Sequence, residues 1–171
     1  MFKTTVSLAA ASMSLLIASP SVAAEKNWTP PAYKIYAQQL ADATMKAHPD
    51  LLSVTFHGIP PGMQNVYTMF AGSYPDRIGN GDDPDDIDVQ KLGITIVDPR
   101  WHRPHDTAPK FVVQMPLRDR AGENIGLIVY AFNKPAHPNW TEGQYTMAAM
   151  AMRDALEKQI PSYAALYAPV R

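Results

Sequence analysis

The most informative segment of the chain is residues 74–93, which read Tyr74-Pro-Asp-Arg-Ile-Gly-Asn-Gly-Asp-Asp-Pro-Asp-Asp-Ile-Asp-Val-Gln-Lys-Leu-Gly93. The pattern predicts a loop that closes with a short helix. Asp83 is a favourable N-cap, and Pro84 suits the first helical turn, where its missing N–H costs no hydrogen bond. Gly93 is placed to end the helix, because glycine adopts the left-handed conformation of a helix C-terminus without steric cost.

Arg77 lies inside this loop, and two interpretations of it remain open. If its side chain is buried, it needs an anionic partner, and Asp83 or Asp86 lies within a few residues. Alternatively, its guanidinium binds a carboxylate of a ligand with two parallel hydrogen bonds. Arg77 and Asp86 are therefore candidate site residues on either interpretation.

Residues 1–24 have the pattern of a secretion signal. Lys3 precedes an apolar run over residues 6–18, and small residues end the segment at Val22-Ala-Ala24. The apolar run is too short to span a membrane, so we expect cleavage after Ala24 and a periplasmic location. Residues 25–171 are then one domain with no membrane span.

The composition excludes several classes of function. The chain contains no cysteine, which excludes disulfide bonds, thiol catalysis and covalently attached c-type haem. Its formal net charge of −1 offers no basic surface for nucleic acid. No motif of a serine hydrolase or a zinc peptidase occurs, so we expect no catalytic residues, no cofactor and no enzyme activity.

Hydrophobic periodicity predicts a helix, two strands, the loop with its short helix, three strands and a final helix. The predicted helices cover about residues 31–47 and, within residues 141–160, about residues 142–159. The predicted strands cover about residues 51–57, 65–71, 94–97, 110–118 and 124–132. Short connections between the strands predict an antiparallel sheet over residues 51–132, and hence an α+β fold.

Two segments of the form Asn-Trp-Thr precede the first and last helices. Thr29 and Thr141 are predicted N-caps, and Gln144 completes a capping box in the second copy. The tryptophan before each threonine is predicted to pack on a tyrosine in the first turns of the helix, pairing Trp28 with Tyr33 and Trp140 with Tyr145.

Alternation along the strands predicts which side chains share a face. The first strand places Leu52, Val54 and Phe56 on one face and Ser53, Thr55 and His57 on the other. The last strand is apolar on both faces, with Ile125, Leu127 and Val129 opposite Ile128, Tyr130 and Phe132, which predicts a central position. A small-molecule site is usually an apolar pocket with a few polar groups. The candidate ligand-binding residues are His57, Tyr67, Arg77, Asp86, Gln114 and Tyr130.

Metal binding is the main alternative. Residues 101–106 read Trp101-His-Arg-Pro-His105-Asp106, so that His102, His105 and Asp106 form a candidate site to which His137 can add a ligand. Methionines on the last helix offer thioethers for copper(I) together with Met63 or Met69, although methionine at helical spacing is typical of a core. The methionines concerned are Met147, Met150 and Met152. The acidic run over residues 82–88 does not match a calcium loop, because Ile87 stands where the glycine belongs.

Three segments together resemble a known family. The loop Tyr74-Pro-Asp-Arg-Ile-Gly79, the acidic helix that ends at Lys91-Leu-Gly93, and the hairpin segment Met115-Pro-Leu-Arg-Asp-Arg-Ala-Gly-Glu-Asn-Ile-Gly126 resemble stand-alone periplasmic single-Cache (PAS-like) domains. The resemblance implies a five-stranded antiparallel sheet with a long N-terminal helix across one face. It also implies a ligand pocket on the other face, closed by the loop and the short helix. The chain departs from the family in its longer, histidine-rich loop.

Together these observations predict a periplasmic, sensor-type domain that binds a small organic ligand and carries no attached signalling domain. We expect its partner to be a membrane sensor or a transporter component. The alternative function is a periplasmic metal-binding protein that uses the loop over residues 101–106.

Overall fold

The computed structural model describes residues 25–98 and 109–170 of the chain. Within these ranges the chain forms three α-helices and five β-strands. The elements, in order, are α1 (Tyr36–Ala47), β1 (Leu51–Gly58), β2 (Thr68–Gly72), α2 (Pro84–Leu92), β3 (Ile96–Asp98), β4 (Lys110–Arg118), β5 (Asn124–Asn133) and α3 (Glu142–Glu157). Short 3-10 turns cover Pro75–Arg77, Lys134–Ala136 and Ala164–Tyr167.

The five strands form one antiparallel sheet in the order β2-β1-β5-β4-β3. Strand β5 is central and is buried on both faces, as its two-sided apolar pattern predicted. The fold is therefore α+β, with the five-stranded antiparallel sheet that the resemblance implies. The helix within the loop after β2 is also present where the sequence predicted it.

The two faces of the sheet are covered differently. Helices α1 and α3 both lie on one face, which we call the helix face. The main core is there, and its largest fully buried side chains include Phe56, Phe111, Tyr130 and Phe132. The other face, which we call the α2 face, carries a smaller cluster in which Val89 of α2 packs on the sheet. Its other buried members are Val112, Leu127, Val129 and Ala131.

Two residues lie on the opposite face of the sheet from the one predicted, and a β-bulge explains each case. The register between β1 and β5 shifts between Leu51 and Ser53, so Leu52 packs with the cluster of the α2 face and not with Val54 and Phe56. A second shift next to Arg118 turns Ile125 toward the helix face, away from Leu127 and Val129. Strict alternation fails at both positions because a bulge adds one residue to one strand.

The prediction for the first helix is wrong at its N-terminus. Helix α1 begins at Tyr36 after Ile35, and Ile35 makes no side-chain cap bond. Residues 26–28 instead run beside the loop after β2, with Asn27 N–H bonded to Gly79 O at 2.8 Å. Trp28 contacts Tyr167 edge-to-face at 6.2 Å, and Tyr33 is exposed. These pairings hold the segment extended, and the predicted cap at Thr29 does not form.

The second copy of the motif behaves as predicted. Thr141 accepts a hydrogen bond from Gln144 N–H at 3.3 Å, and the Gln144 side chain accepts one from Thr141 N–H at 2.8 Å. The rings of Trp140 and Tyr145 meet edge-to-face at 5.1 Å. The capping box and the hydrophobic staple therefore both form at the start of α3.

None of the helices in residues 25–98 and 109–170 combines the length and the apolar character that crossing a membrane requires.

Candidate functional site

Helix α2 begins and ends as its sequence predicts, and this fixes its place on the sheet. Asp83 is the N-cap, Pro84 opens the first turn, and Asp83 N–H donates to Asp86 Oδ2 at 3.4 Å. Gly93 ends the helix with φ 66° and bonds back to Val89 O. Because Val89 is anchored in the cluster of the α2 face, the first turn of α2 lies over the polar side chains of β1 and β4.

The α2 face carries a group of hydrogen-bonded polar side chains that we call the polar cluster. Its members are Thr55 and His57 of β1, Asp82 of the loop, Asp86 and Gln90 of α2, and Gln114 of β4. The side chain of Asp82 is 0% exposed, and His57, Asp86 and Gln114 are also buried. Burial of so many polar groups is costly unless each one has a partner.

His57 lies at the centre of the polar cluster. Its Nδ1 is 2.7 Å from Asp82 Oδ1 and 4.0 Å from Asp86 Oδ2. Its Nε2 is 2.8 Å from Thr55 Oγ1, on the neighbouring position of the same strand face. The imidazole is therefore held on both sides and has no rotational freedom.

Each carboxylate of the polar cluster also bonds to a glutamine amide. Gln90 Nε2 donates to Asp82 Oδ2 at 2.6 Å, and Gln114 Nε2 donates to Asp86 Oδ1 at 3.0 Å. Gln114 Nε2 additionally lies 3.4 Å from Asp85 Oδ2. In each carboxylate, one oxygen therefore accepts a hydrogen bond from a glutamine amide and the other oxygen faces His57.

The charges of the polar cluster shift two pKa values. Burial acts to lower the pKa of His57, but the charge and hydrogen bond of Asp82 outweigh it and raise that pKa above its ordinary value. Burial raises the pKa of Asp86 to about 6, against the opposing effect of His57 and with the help of Asp82 and Asp85. The polar cluster therefore holds more negative charge than one imidazole neutralises.

The position of Asp82 comes from pairing at the edge of the sheet. Gly79 N–H bonds to Met69 O at 2.8 Å, and Thr68 forms an antiparallel bridge with Gly81. The loop after β2 thus runs back along β2, and Asp82 N–H bonds to Tyr67 O at 3.1 Å. This places the Asp82 carboxylate beside the end of β1.

The structure brings three of the six predicted site residues together, namely His57, Asp86 and Gln114. Tyr67 is half-buried next to Asp82, and its ring lies 5.1 Å from Lys91 Nζ. Its part in ligand binding stays a prediction.

Tyr130 does not belong to this site. It pairs with Val54 and Val113 on the helix face, where it is 0% exposed, on the opposite side of the sheet from Gln114. The sequence pattern placed it on a face of β5, but it could not show which face α2 covers. The expectation that Tyr130 converges with His57 and Gln114 is therefore wrong.

Arg77 is not the buried arginine that the loop sequence suggested. Its side chain is exposed, and its guanidinium carbon lies 4.6 Å from the centre of the Tyr74 ring. The Asp86 carboxylate is bonded to Gln114 and to Asp83 N–H instead. The predicted buried ion pair does not form, and a contact of Arg77 with a ligand stays a prediction.

Sequence reasoning missed three members of the polar cluster as site residues. Asp82 was considered only as part of the acidic run over residues 82–88. Gln90 follows Asp86 by four residues, so helical spacing places both on one face of α2. Thr55 shares its strand face with His57 because the two are two residues apart.

The structure tests only part of the alternative metal-site predictions. His102, His105 and Asp106 lie outside the described residues, so that site stays a prediction. His137, its suggested fourth ligand, is bonded through Nε2 to Asp50 Oδ2 at 2.8 Å and stacks on Trp140. The methionines do not converge, because Met147 and Met150 are exposed on α3 while Met152 is buried in the core.

Comparison with solved structures gives a similarity in fold. No family model matches the chain, and no curated protein matches it. Among solved structures, the chain is similar to the sensor domain of DcuS from E. coli, with 23% sequence identity and a TM-score of 0.41. The similarity covers 58% of this chain and 67% of that one.

Proposed function

We propose that this protein is a periplasmic, sensor-type Cache domain that binds a small organic molecule reversibly on its α2 face. The observation that carries the proposal is the polar cluster, which concentrates buried polar groups on the face that only a nine-residue helix covers among the described elements. Packing alone does not require these groups, since apolar side chains in the same places avoid their desolvation cost. Perturbed titratable groups of this kind are typical of functional sites.

The chemistry of the face suggests what the ligand offers. The apolar floor of Val112, Leu127, Val129 and Ala131 takes a non-polar portion of the molecule. The carboxylates of Asp82 and Asp86 accept hydrogen bonds, so an amine, amide or hydroxyl group is favoured over a free carboxylate. Like-charge repulsion opposes an organic acid here, because the carboxylates outnumber the single imidazole.

The proposed setting follows from the predicted secretion signal over residues 1–24. In this setting the domain is exported, meets its ligand in the periplasm, and contacts a membrane sensor or a transporter component. Closure of α2 on the ligand is the change that such a partner would detect.

A thermal-shift screen tests the proposal. Protein treated with EDTA is melted with panels of amines, amino acids, purines and organic acids. A true ligand at 100 times its dissociation constant adds about 2.7 kcal/mol to the free energy of unfolding. We expect stabilisation by a compound with donor groups, and at least about tenfold weaker binding in Gln114→Leu, which removes an amide of the polar cluster.

Gln38→Leu is the matched control. The Gln38 amide bonds Gly72 O at 3.1 Å and Gly72 N–H at 3.0 Å from helix α1, so this variant also loses buried amide bonds but on the other side of the sheet. Its ligand affinity should equal that of the wild type. Equal loss of affinity in both variants, or no stabilising compound in any panel, would contradict the proposal.

A further inference from the structure

We infer that His57, Asp82 and Asp86 form a binding site for one divalent first-row transition metal ion. Their three donor atoms all lie within 4.8 Å of one another. The inference goes beyond the proposed function and does not depend on it, since an ion can bind whether or not an organic ligand does.

The separations between the donor atoms suit one ion. Nitrogen and oxygen ligands lie about 2.0–2.2 Å from zinc, so two ligands of a tetrahedral ion are about 3.3–3.6 Å apart. His57 Nδ1 is 2.7 Å from Asp82 Oδ1 and 4.0 Å from Asp86 Oδ2, which lie on either side of that spacing. Binding therefore requires the two carboxylates to rotate so that their oxygens shift by less than about 1 Å.

The outer contacts of these three side chains are an independent observation. Each side chain points one polar atom inward and has its other polar atom bonded to a neighbour: His57 Nε2 to Thr55 at 2.8 Å, Asp82 Oδ2 to Gln90 at 2.6 Å, and Asp86 Oδ1 to Gln114 at 3.0 Å. Metal-binding histidines and carboxylates are oriented by such outer partners. A metal ion would replace the proton that His57 Nδ1 donates to Asp82 Oδ1, while Thr55 Oγ1 accepts the Nε2 proton.

Charge supports the same conclusion. Once a metal ion has displaced the proton from His57 Nδ1, the two carboxylates contribute a charge of −2, which a divalent ion cancels. Their side chains are 0% and 10% exposed, so water screens them little. Buried carboxylates without a compensating cation are costly, and metal coordination is one of the usual solutions.

The ligand set selects a class of ion. One imidazole with two carboxylates suits zinc, manganese, iron(II), cobalt or nickel. Calcium and magnesium prefer oxygen ligands throughout, and copper(I) prefers sulfur. Three protein ligands leave coordination positions open, which water or a donor atom of a small molecule can fill.

The experiment uses the untagged chain, stripped with EDTA and dialysed, without any organic ligand. Zn²⁺ and Mn²⁺ are titrated by calorimetry, with Mg²⁺ and Ca²⁺ as hard-ion comparisons, and bound metal is counted after equilibrium dialysis. We expect one equivalent of Zn²⁺ or Mn²⁺ per chain, and at least about 100-fold weaker binding in His57→Gln and Asp82→Asn. Thr55→Val and Gln114→Leu, which remove outer partners, should weaken binding about 10–100-fold.

Two controls make the result specific. His137→Gln removes a second described histidine that bonds an aspartate, Asp50, and should leave metal binding unchanged. The double variant His102→Ala/His105→Ala should also keep one equivalent, because none of the three proposed ligands lies in that loop. Less than about 0.2 equivalents in the wild type, or loss of the metal only in the loop variant, would overturn the inference.

A measurement on the wild type covers the case in which a ligand variant fails to fold. Pulsed electron paramagnetic resonance of bound Mn²⁺ should show coupling to one imidazole nitrogen. Bound Mn²⁺ with no nitrogen coupling would overturn the assignment of His57. If no metal binds but the organic-ligand screen is positive, only this inference fails, because that screen is carried out in EDTA.

Discussion

Tyr130 and Tyr163 show how a hydroxyl group depends on its surroundings. The Tyr130 hydroxyl is fully buried and has no hydrogen-bond partner among the described residues, whereas the Tyr163 hydroxyl lies 3.1 Å from that of Tyr167. Burial raises the pKa of Tyr130 well above its ordinary value of 10. The folded chain therefore keeps a proton that the unfolded chain releases above pH 10, and stability falls as pH rises through that value.

We predict that Tyr130→Phe stabilises the protein by about 1 kcal/mol at pH 7, because it removes a desolvated hydroxyl without opening a cavity. This stabilisation should increase above pH 10, because the variant lacks the hydroxyl whose ionisation favours the unfolded wild type. Tyr163→Phe, which gives up a hydrogen bond, should instead cost about 0.5–1.5 kcal/mol. Urea unfolding at pH 7 and pH 10.5 measures both. A destabilised Tyr130→Phe protein would show that the hydroxyl has a partner.

The sequence suggested a buried role for Arg77, but the structure gives the buried position to Asp82 instead. Arg77 is exposed over Tyr74, and the Asp82 side chain is buried against His57. We predict that Arg77→Ala costs less than about 1 kcal/mol, the usual value of an exposed cation–π contact. Asp82→Ala should cost about 3–5 kcal/mol, since it leaves a buried imidazole without its carboxylate. Melting of metal-free protein compares them, and an equal cost for the two variants would refute the assignment.

Among the three described α-helices, only α3 starts at a capping threonine. The Asn-Trp-Thr motif at α3 forms a complete capping box, while the same three residues before α1 lie in an extended segment. The difference is tertiary, because residues 26–28 pair with the loop after β2 and Ile35 bridges to Pro169. Local capping preference is worth about 1 kcal/mol, which these contacts outweigh.

Two matched substitutions test this difference. Thr141→Ala should cost about 1 kcal/mol, because it leaves N–H groups of the first turn of α3 without their acceptor. Thr29→Ala should change the free energy of unfolding by less than about 0.5 kcal/mol, since Thr29 is exposed and caps no helix. Chemical denaturation of the two variants gives both values. A comparable loss in Thr29→Ala would mean that a helix begins there in solution.

The molecule as a whole has an unequal division of its buried core between the two faces of its sheet. Helices α1 and α3 each have four buried residues, whereas α2 has only two, Asp86 and Val89. Strand β3 has three residues and none is fully buried. The face with the least packing is also the face that carries the polar cluster.

We predict that this division is visible in native-state hydrogen exchange. Amides of α2 and β3 should exchange through local opening at a lower free energy than those of β5, which should require global unfolding. Binding of a metal or an organic ligand should slow exchange in α2 selectively. Exchange of α2 and β5 at a single common free energy would contradict the prediction.

The local features of the fold could be predicted from the sequence because their causes lie within a few residues. The helix from Pro84 to Leu92 depends on its own cap, its proline and Gly93. The capping box of Thr141 and the two-sided burial of β5 were likewise predictable from short-range patterns. His57, Asp86 and Gln114 were predicted to lie near one another, and they do, because polar residues on buried strands and at a helix start need partners.

Only the tertiary structure decided which partner each of these residues has. Asp82 reaches His57 because the loop folds back along β2, a pairing between residues more than ten positions apart in the sequence. Tyr130 and Gln114 lie on opposite faces because α2 covers one side of the sheet and α1 and α3 cover the other. Alternation gives two faces without saying which one each helix will cover, and a single bulge changes the assignment of a residue. For this reason the sequence predicted the elements, while the site depended on how they pack.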